Sequence, residues 1–368
     1  MNSSQPLYEG ILKYCIRCCM PETVEGICFD ERGICNGCNS SEEKMHINWE
    51  QREKDLTEKL NFYKEKLKHR AYDCVLPVSG GKDSFFQAYV LTQKYKMRPL
   101  AVTFSHNWFT ETGKRNLQRL LETFGIDHIM FTPNRKLINK IAAKSIELIG
   151  DSCWHCHAGV GSFVTQIAVK FDIPFIAWGE SIAEEGCRLS YFESIKKDVF
   201  DEEYFMKVSA KSKVDEFVSD KITKEELEIF RHPTSAEYQK AKIAGLHLGD
   251  YFFWDEERQV EFIKKEFGWE EDDVEGTYKK YKSVECVMPG LHDYTKFIKR
   301  GFGRATDHAT KDVRAGLLTR EEAFSIINEH DNKRPEILDY FLKETGMEED
   351  DLIKKVKALR TGNAKDLP

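Results

Sequence analysis

The stretch Asp73-Cys74-Val75-Leu76-Pro77-Val78-Ser79-Gly80-Gly81-Lys82-Asp83-Ser84 decides the reading of this chain. Residues 73–78 form a short apolar run of the kind that makes a buried strand. From Phe85 through Tyr95 the apolar spacing turns helical. A glycine pair at a strand-to-helix junction lets main-chain N–H groups come close to an anion. The helix N-terminus adds partial positive charge there, and Ser79 and Ser84 add hydroxyls. A phosphate is the guest such a loop suits. The Walker A spacing, G-x-x-x-x-G-K-[ST], is missing, which excludes an ordinary P-loop ATPase or kinase.

Outward from this loop, residues 71 to about 190 alternate strand and helix patterns. Strands are expected at 73–78, 99–104, 127–132 and 174–178, and helices at 83–96, 111–124, 135–148 and 159–171. Such alternation predicts an α/β fold, a parallel sheet doubly wound with helices on both faces. Ligands of that architecture sit beyond the carboxyl ends of the strands. Three further segments are therefore expected to converge on the loop: 105–108, 133–135 and 179–181. Within them Ser105, His106, Gly179 and Glu180 are candidate nucleotide contacts, beside Ser79, Gly80, Gly81, Lys82, Asp83 and Ser84 of the loop itself.

The domain reading has four parts. Residues 1–46 form a cysteine-rich segment, 47–70 a linker helix, 71–200 the nucleotide-binding domain, and 201–368 a mostly helical region for substrate or partner binding. In the linker, Leu56, Leu60, Tyr63 and Leu67 fall on one helical face. An echo between 267–274 (FGWEEDDV) and 345–352 (TGMEEDDL) reads as a helix stopped by glycine, followed by a new helix with acids in its first turn.

A chain of 368 residues with 41% hydrophobic and 32% charged residues has room for a full core. No run approaches the roughly 18 apolar residues of a membrane span, and the first residues lack the apolar stretch of a secretory signal. The formal net charge of -7 argues against nonspecific nucleic-acid binding. Eleven cysteines without a signal peptide point to the reducing cytoplasm, where thiols bind metal or sit buried.

Cys15-x2-Cys18 and Cys35-x2-Cys38, sixteen residues apart, have the form of a structural zinc ribbon. Gly33 and Gly37 supply tight turns that aim two sulfurs at one ion, while Cys19 and Cys28 fall outside the pairing. A second pair, Cys153-Trp154-His155-Cys156-His157, precedes the helix expected at 159–171. Three roles stay open for it: structural thiols, a second metal or iron–sulfur cluster with Cys187 or Cys286, or direct chemistry. His155 and His157 are candidate ligands or acid–base groups.

Near the C-terminus, Lys299-Arg300-Gly301-Phe302-Gly303-Arg304 interleaves glycines with basic and aromatic residues, a poor helix and a good anion clamp. Lys299, Arg300, Arg304, Asp307, His308 and Arg314 are the candidate substrate contacts. The charged run 320–322 reads as a plain helix start after Thr319.

S-G-G-K-D-S resembles the pyrophosphate loop of the ATP pyrophosphatases, which cleave ATP between the α and β phosphates. Taken with the N-terminal knuckles and the run Arg300-Gly301-Phe302-Gly303-Arg304-x-x-Asp307-His308, it resembles the N-acetyl sugar amidotransferases. That family is also known as the lipopolysaccharide O-antigen or pseudaminic-acid amidotransferases. The closing Asp312-x-Arg314-x-Gly316-x-x-Thr319-Arg320-Glu321-Glu322-Ala323 and the opening Tyr14-Cys15-x-Arg17-Cys18-x-Met20-Pro21 carry the likeness over nearly the whole chain. The extra Cys19, Cys28 and Cys187 depart from it. The resemblance implies a core like that of the adenine nucleotide alpha-hydrolases, with a zinc ribbon before it and a helical region after it. It implies ATP and Mg²⁺ as well as structural Zn²⁺, with Asp83, Ser84 and Lys82 as catalytic residues. The implied reaction turns an acetamido group of a nucleotide-linked or nonulosonic sugar into an acetamidino group, with ammonia as donor.

No cysteine lies in a G-x-C-x-G elbow and Cys15 is not terminal, so no built-in glutaminase is expected. A separate glutaminase subunit, with a cyclase-like companion, is the partner the resemblance implies. Two other readings remain. One is a sulfur transferase of the tRNA-thiolating type with a cluster at Cys153 and Cys156; the other is a zinc-ribbon adaptor that binds nucleotide without turnover.

Overall fold

The computed structural model describes residues 4–184, 189–197, 201–206 and 210–368. At its centre is a parallel sheet of five strands: β1 (Cys74–Pro77), β2 (Pro99–Phe104), β3 (His128–Phe131), β4 (Phe175–Trp178) and β5 (Ala244–His247). The strand order is β3-β2-β1-β4-β5, and every pairing is parallel. Alternate residues of β1 point to opposite faces. Val75 joins one apolar cluster, while Cys74 and Leu76 join the other. Both faces are thus covered, which is why these strands read as continuous apolar runs.

Helix α1 (Asn36–Lys44) closes the cysteine segment, and α2 (Trp49–Lys66) crosses to the sheet, burying Leu56 and Leu60. Tyr63 stacks on Phe175 with ring centroids 4.2 Å apart. Helix α3 (Lys82–Tyr89) runs on as a π-helical turn, Val90–Lys94, and α4 (Glu111–Phe124) and α5 (Arg135–Ile149) begin and end close to expectation. Thr110 and Asn134 cap the N-termini of α4 and α5 through their side-chain oxygens. Helix α6 (Trp154–Lys170) starts five residues before the expected 159, so Cys156 and His157 lie within it and Cys153 is its N-cap. Its start is fixed by Trp154, which is buried, stacks on Phe217 and donates to the Ser212 carbonyl at 2.9 Å.

The stretch read as mostly helical supplies β5, whose four residues pair with β4 along their whole length. Around β5 lie the short helices α7 (Tyr191–Ser194), α8 (Glu202–Phe205) and α9 (Ser235–Ala241), then α10 (Glu256–Phe267). Five helices complete the chain: α11 (Pro289–Arg300), α12 (Arg304–Arg314), α13 (Arg320–His330), α14 (Ile337–Thr345) and α15 (Glu349–Ala358). α2, α3, α4 and α10 cover one sheet face; α5, α6, α11, α14 and α15 cover the other. Thr319 starts α13 with a full capping box, as its position before Arg320-Glu321-Glu322 suggested.

The echo between 267–274 and 345–352 holds only in part. Gly346 ends α14 in the left-handed region and α15 follows; Gly268 ends α10 in the same way, but no helix follows it. Residues 269–274 have no regular structure and are held by side chains of other segments instead. Trp269 is buried and donates to the Gly80 carbonyl at 3.1 Å, and Asn116 clasps both main-chain groups of Glu270 at 2.7 and 2.9 Å. Tertiary contacts override the local signal here.

Candidate functional site

The strand order reverses between β1 and β4, and at such a point the loops leaving the two strands diverge and open a crevice. The loop after β1 is Ser79–Gly81, running into α3. Gly80 has φ +88°, and a Cβ there would sit 2.5 Å from the Gly113 carbonyl oxygen and 2.9 Å from the Leu117 nitrogen. Only glycine fits both the angle and the approach to α4. Ser84 Oγ accepts from the Ser79 and Gly80 N–H groups at 3.3 and 3.2 Å and donates to the Gly81 carbonyl at 3.0 Å. The Gly81 N–H donates to Ser79 Oγ at 3.2 Å. Loop amides and hydroxyls therefore point at one another across a tight turn.

This loop opens into a cavity of about 440 Å³. Ser79, Gly81, Lys82, Asp83 and Ser84 line one side, with Glu180 from the end of β4. Lys299, Arg300, Arg304, Asp307, His308 and Arg314 all line the other side. The glycine-spaced segment is the turn between two helices. Lys299 and Arg300 end α11, Gly301 closes it in the left-handed region at φ +77°, and Gly303 caps α12. Each basic group is anchored. Lys299 donates to the Ile149 carbonyl at 2.6 Å, Arg300 pairs with Glu25, and Arg304 pairs with Asp293 while donating to Ser283 Oγ at 2.7 Å. Lys296 bridges Asp293 and Asp307 at 2.6 Å each, and His308 Nδ1 lies 2.6 Å from Thr277 Oγ1.

The floor is a dense ionic cluster. Lys82 Nζ is 2.6 Å from both Asp83 oxygens and 3.8 Å from Glu256. Burial opposes its charge, but Asp83, Glu256 and Glu180 together hold its pKa above the ordinary lysine value. Lys311 reaches Glu180 at 2.8 Å and Glu256 at 3.0 Å, and Lys282 pairs with the other oxygen of Glu256. Burial, aided by the neighbouring Lys82 and Lys311, pulls the Lys282 ammonium below its usual range. Glu285 faces the loop. Its Oε1 is 3.5 Å from Ser79 Oγ, and its buried Oε2 has no hydrogen-bond partner among the described residues. Burial, with the charge of Asp83 beside it, raises its carboxyl pKa.

Two expected segments do not line the cavity. Ser105 and His106 are buried at the end of β2, one strand away from the reversal; His106 Nδ1 accepts from the Trp108 N–H at 3.1 Å. Residues 133–135 lie farther still, after β3, where Asn134 caps α5. Gly179 packs against α3, its would-be Cβ 3.1 Å from Gln87 Oε1, and does not line the cavity either. The loop after β2 has a different task. Phe109 bridges to Cys286, and Trp108 accepts from the Val287 N–H at 2.9 Å, so this loop holds Glu285 against Gly81. Sequence reasoning missed Glu285, Glu256 and Lys311 as residues of this site. Glu285 lies in an irregular stretch, and Glu256 and Lys311 sit singly among the many charged residues of α10 and α12, so none had a spacing of its own to mark it.

Cys15, Cys18, Cys35 and Cys38 are buried, and their sulfurs lie within 4.8 Å of one another. Cys15 and Cys38 sulfurs are 3.9 Å apart, Cys18 and Cys35 sulfurs 3.8 Å. Four sulfurs at ~2.3 Å from a zinc ion stand about 3.8 Å apart in a tetrahedron, so the tetrad fits such an ion. Main-chain N–H groups support it, from Cys35 to Cys15 Sγ at 3.3 Å and from Cys38 to Cys35 Sγ at 3.4 Å. Cys19 stays outside the tetrad, its thiol directed at the Arg320 carbonyl at 3.8 Å, and Cys28 is exposed. Arg320 binds the Cys18 and Cys15 carbonyls at 3.0 and 3.2 Å, fixing the segment onto α13 beside the cavity.

Among the described residues, Cys153 and Cys156 belong to no group of three or more side chains able to hold a metal ion. Burial raises both thiols, Cys156 to about 12. Cys187 lies outside the described residues. The second such group is Asp151, His157 and His292. The two histidines of the motif differ: His155 is fully buried with Nε2 3.3 Å from the His106 carbonyl oxygen, while His157, two residues on, is half-buried. Among the described residues no helix is long and apolar enough to cross a membrane.

Comparison with known proteins bears on both halves of the site. The chain is 21% identical over 302 residues to an uncharacterized protein, MJ1599, of Methanocaldococcus jannaschii, covering 82% of this chain and 88% of that protein. Residues 275–364, which carry Glu285, His292 and the basic wall of the cavity, match the family model described as LPS biosynthesis protein WbpG-like, C-terminal domain.

Proposed function

We propose that the chain is an ATP-dependent amidotransferase of surface-glycan biosynthesis, which converts an acetamido group of a bacterial sugar to an acetamidino group. One observation carries the reading: the Ser79–Ser84 loop and the cationic α11–α12 wall open into the same cavity. The similarity of residues 275–364 to the LPS biosynthesis domain supports a sugar substrate on that wall.

An amide carbonyl is a weak electrophile and its oxygen leaves poorly. The acetamido oxygen attacks the α phosphorus of ATP, the bond to the β phosphate breaks, and pyrophosphate departs. Ammonia then adds to the imidate carbon, AMP leaves with the former carbonyl oxygen, and loss of a proton gives the amidine. Holding sugar, ATP and ammonia together is where most of the rate comes from, on the order of 7–11 kcal/mol of the barrier. The amides of Gly80 and Gly81 and the hydroxyls of Ser79 and Ser84 exchange their mutual hydrogen bonds for the oxygens of the departing pyrophosphate, with Lys82 offsetting its charge. Asp83 and Glu285 are the carboxylates at the loop suited to Mg²⁺, which neutralises phosphate charge when bound. Glu180 carries Lys311 toward the same phosphates. Arg304, Arg300 and Lys299 orient the sugar's anionic groups, and His308 and Asp307 bind its hydroxyls. A zinc ion on Cys15, Cys18, Cys35 and Cys38 fixes the segment that places Met20 and Glu25 in the cavity wall.

Ammonia comes from a separate glutaminase subunit with a cyclase-like companion, and free ammonium bypasses both. The test is release of AMP and pyrophosphate with a panel of acetamido sugars, free and nucleotide-linked, plus ammonium. ADP in place of AMP rejects the reading, and so does nucleotide turnover that needs no sugar.

A further inference from the structure

We propose that Asp151, His157 and His292 form a second metal centre, holding a divalent transition-metal ion whose free coordination positions face the cavity. The three side chains come from three separately fixed elements. Asp151 follows Gly150, which ends α5 in the left-handed region at φ +66°. His157 lies in the first turn of α6, and His292 in the first turn of α11. Their ligating atoms all lie within 4.8 Å of one another.

The geometry is that of a site one step short of coordination. His292 Nδ1 is 2.7 Å from Asp151 Oδ1, and the rings of His157 and His292 are 6.0 Å apart between centroids. Two donors at ~2.1 Å from one ion are about 3.0 to 3.4 Å apart for angles between 90° and tetrahedral, so that pair is already near its bound spacing. Asp151 Oδ1 also accepts from the Cys153 N–H at 2.9 Å, which fixes the carboxylate in the way that outer partners orient metal ligands.

Donor type selects the ion. Two imidazoles and one carboxylate suit Zn²⁺, Mn²⁺ or Fe²⁺; an all-oxygen set would suit Mg²⁺. Ligand number selects the role. The four-cysteine site is closed, whereas three protein ligands leave positions for water or substrate. Asp151 and His292 line the cavity, on the side of Lys299 and Lys296. An anionic or carbonyl oxygen of a cavity ligand would thus meet the metal and the lysines together. Metal binding itself does not depend on the reaction proposed above.

The experiment counts metal on the full chain, without substrate. After equilibration with excess Zn²⁺ or Mn²⁺ and removal of free ion, wild type should carry two equivalents of metal per chain. His157→Ala should carry one, with unchanged circular dichroism. Cobalt substitution separates the sites: the thiolate-to-cobalt band of the four-cysteine site should persist in His157→Ala, while the weaker bands of the nitrogen and oxygen site vanish. A wild-type count of one overturns the proposal, leaving His292–Asp151 as a hydrogen-bonded pair between α11 and the α5–α6 turn. Loss of the second equivalent in Cys153→Ser/Cys156→Ser, but not in His157→Ala, also overturns it and gives the site to the cysteines.

Discussion

Arg314 donates from one guanidinium nitrogen to the Cys35 sulfur at 3.5 Å, and the same nitrogen lies 3.8 Å from the Cys18 sulfur. Burial opposes its charge, and the cysteine sulfurs outweigh that, holding the group protonated. Since Arg314 also lines the cavity, the cysteine site and the anion wall share one cation. Replacing it with leucine keeps bulk but removes both N–H···S bonds. Zinc affinity should fall by on the order of 10–100-fold, as for other outer partners of metal ligands. Competition with a chromogenic chelator measures this, and an unchanged affinity means Arg314 serves the cavity alone.

Ser84 and Asp83 separate two contributions of the loop. Ser84→Ala removes the acceptor that the Ser79 and Gly80 amides share. Asp83→Ala removes the partner of a buried lysine. Each should lower AMP formation by on the order of 10²-fold or more, the effect of deleting one preorganised group. Unfolding temperature should change little for Ser84→Ala. Full turnover in either variant would reject the loop as the phosphate site.

Gly80 and Gly316 test close approach against backbone angle. Both have positive φ, +88° and +74°, but a Cβ at Gly316 meets nothing within 4 Å. Gly316→Ala should cost about 1–2 kcal/mol, the left-handed penalty alone. Gly80→Ala adds overlap with main-chain atoms of α4 that cannot move independently. It should cost clearly more and abolish turnover. Equal unfolding midpoints in denaturant would mean the loop is looser than its contacts with Gly113 and Leu117 indicate.

Four strands were legible because each is a short apolar run bounded by turn residues; β1, β2 and β4 are largely buried, and β3, at the sheet edge, is partly exposed. β5 was not, since Ala244-Gly245-Leu246-His247 is short and holds a glycine; its extended form comes from pairing with β4. The loop after β1, the cysteine tetrad and the basic wall could be read because each has its own local spacing. Glu285 had none, lying 206 positions from the serine it faces. In Cys153-Trp154-His155-Cys156-His157 the cysteine spacing drew attention to the sulfurs. The partners of His157, Asp151 and His292, become visible only once α5, α6 and α11 meet.

Buried histidines should make the fold acid-labile. Burial lowers His106 to about 3 and both His232 and His247 to about 4, against an ordinary value of 6.5. As pH falls below about 6.5 the unfolded chain binds protons that the folded chain refuses, so the unfolded state gains. Each such histidine weakens folding by about 1.4 kcal/mol per pH unit until its folded pKa is reached. Asp250 and Asp331 act the other way. Burial raises each to about 6, so between pH 6 and the usual carboxylate range the folded state holds the extra proton. Burial lowers His155, to about 4, and His308 as well, and it raises Glu180, to about 8, and Glu285; the lowered histidines still outnumber the raised carboxyls, so stability should decline from pH 6.5 downward. Denaturant midpoints taken across that range measure the slope. A flat profile between pH 6.5 and 4.5 would mean these imidazoles take up protons in the folded state, and hence that water reaches them.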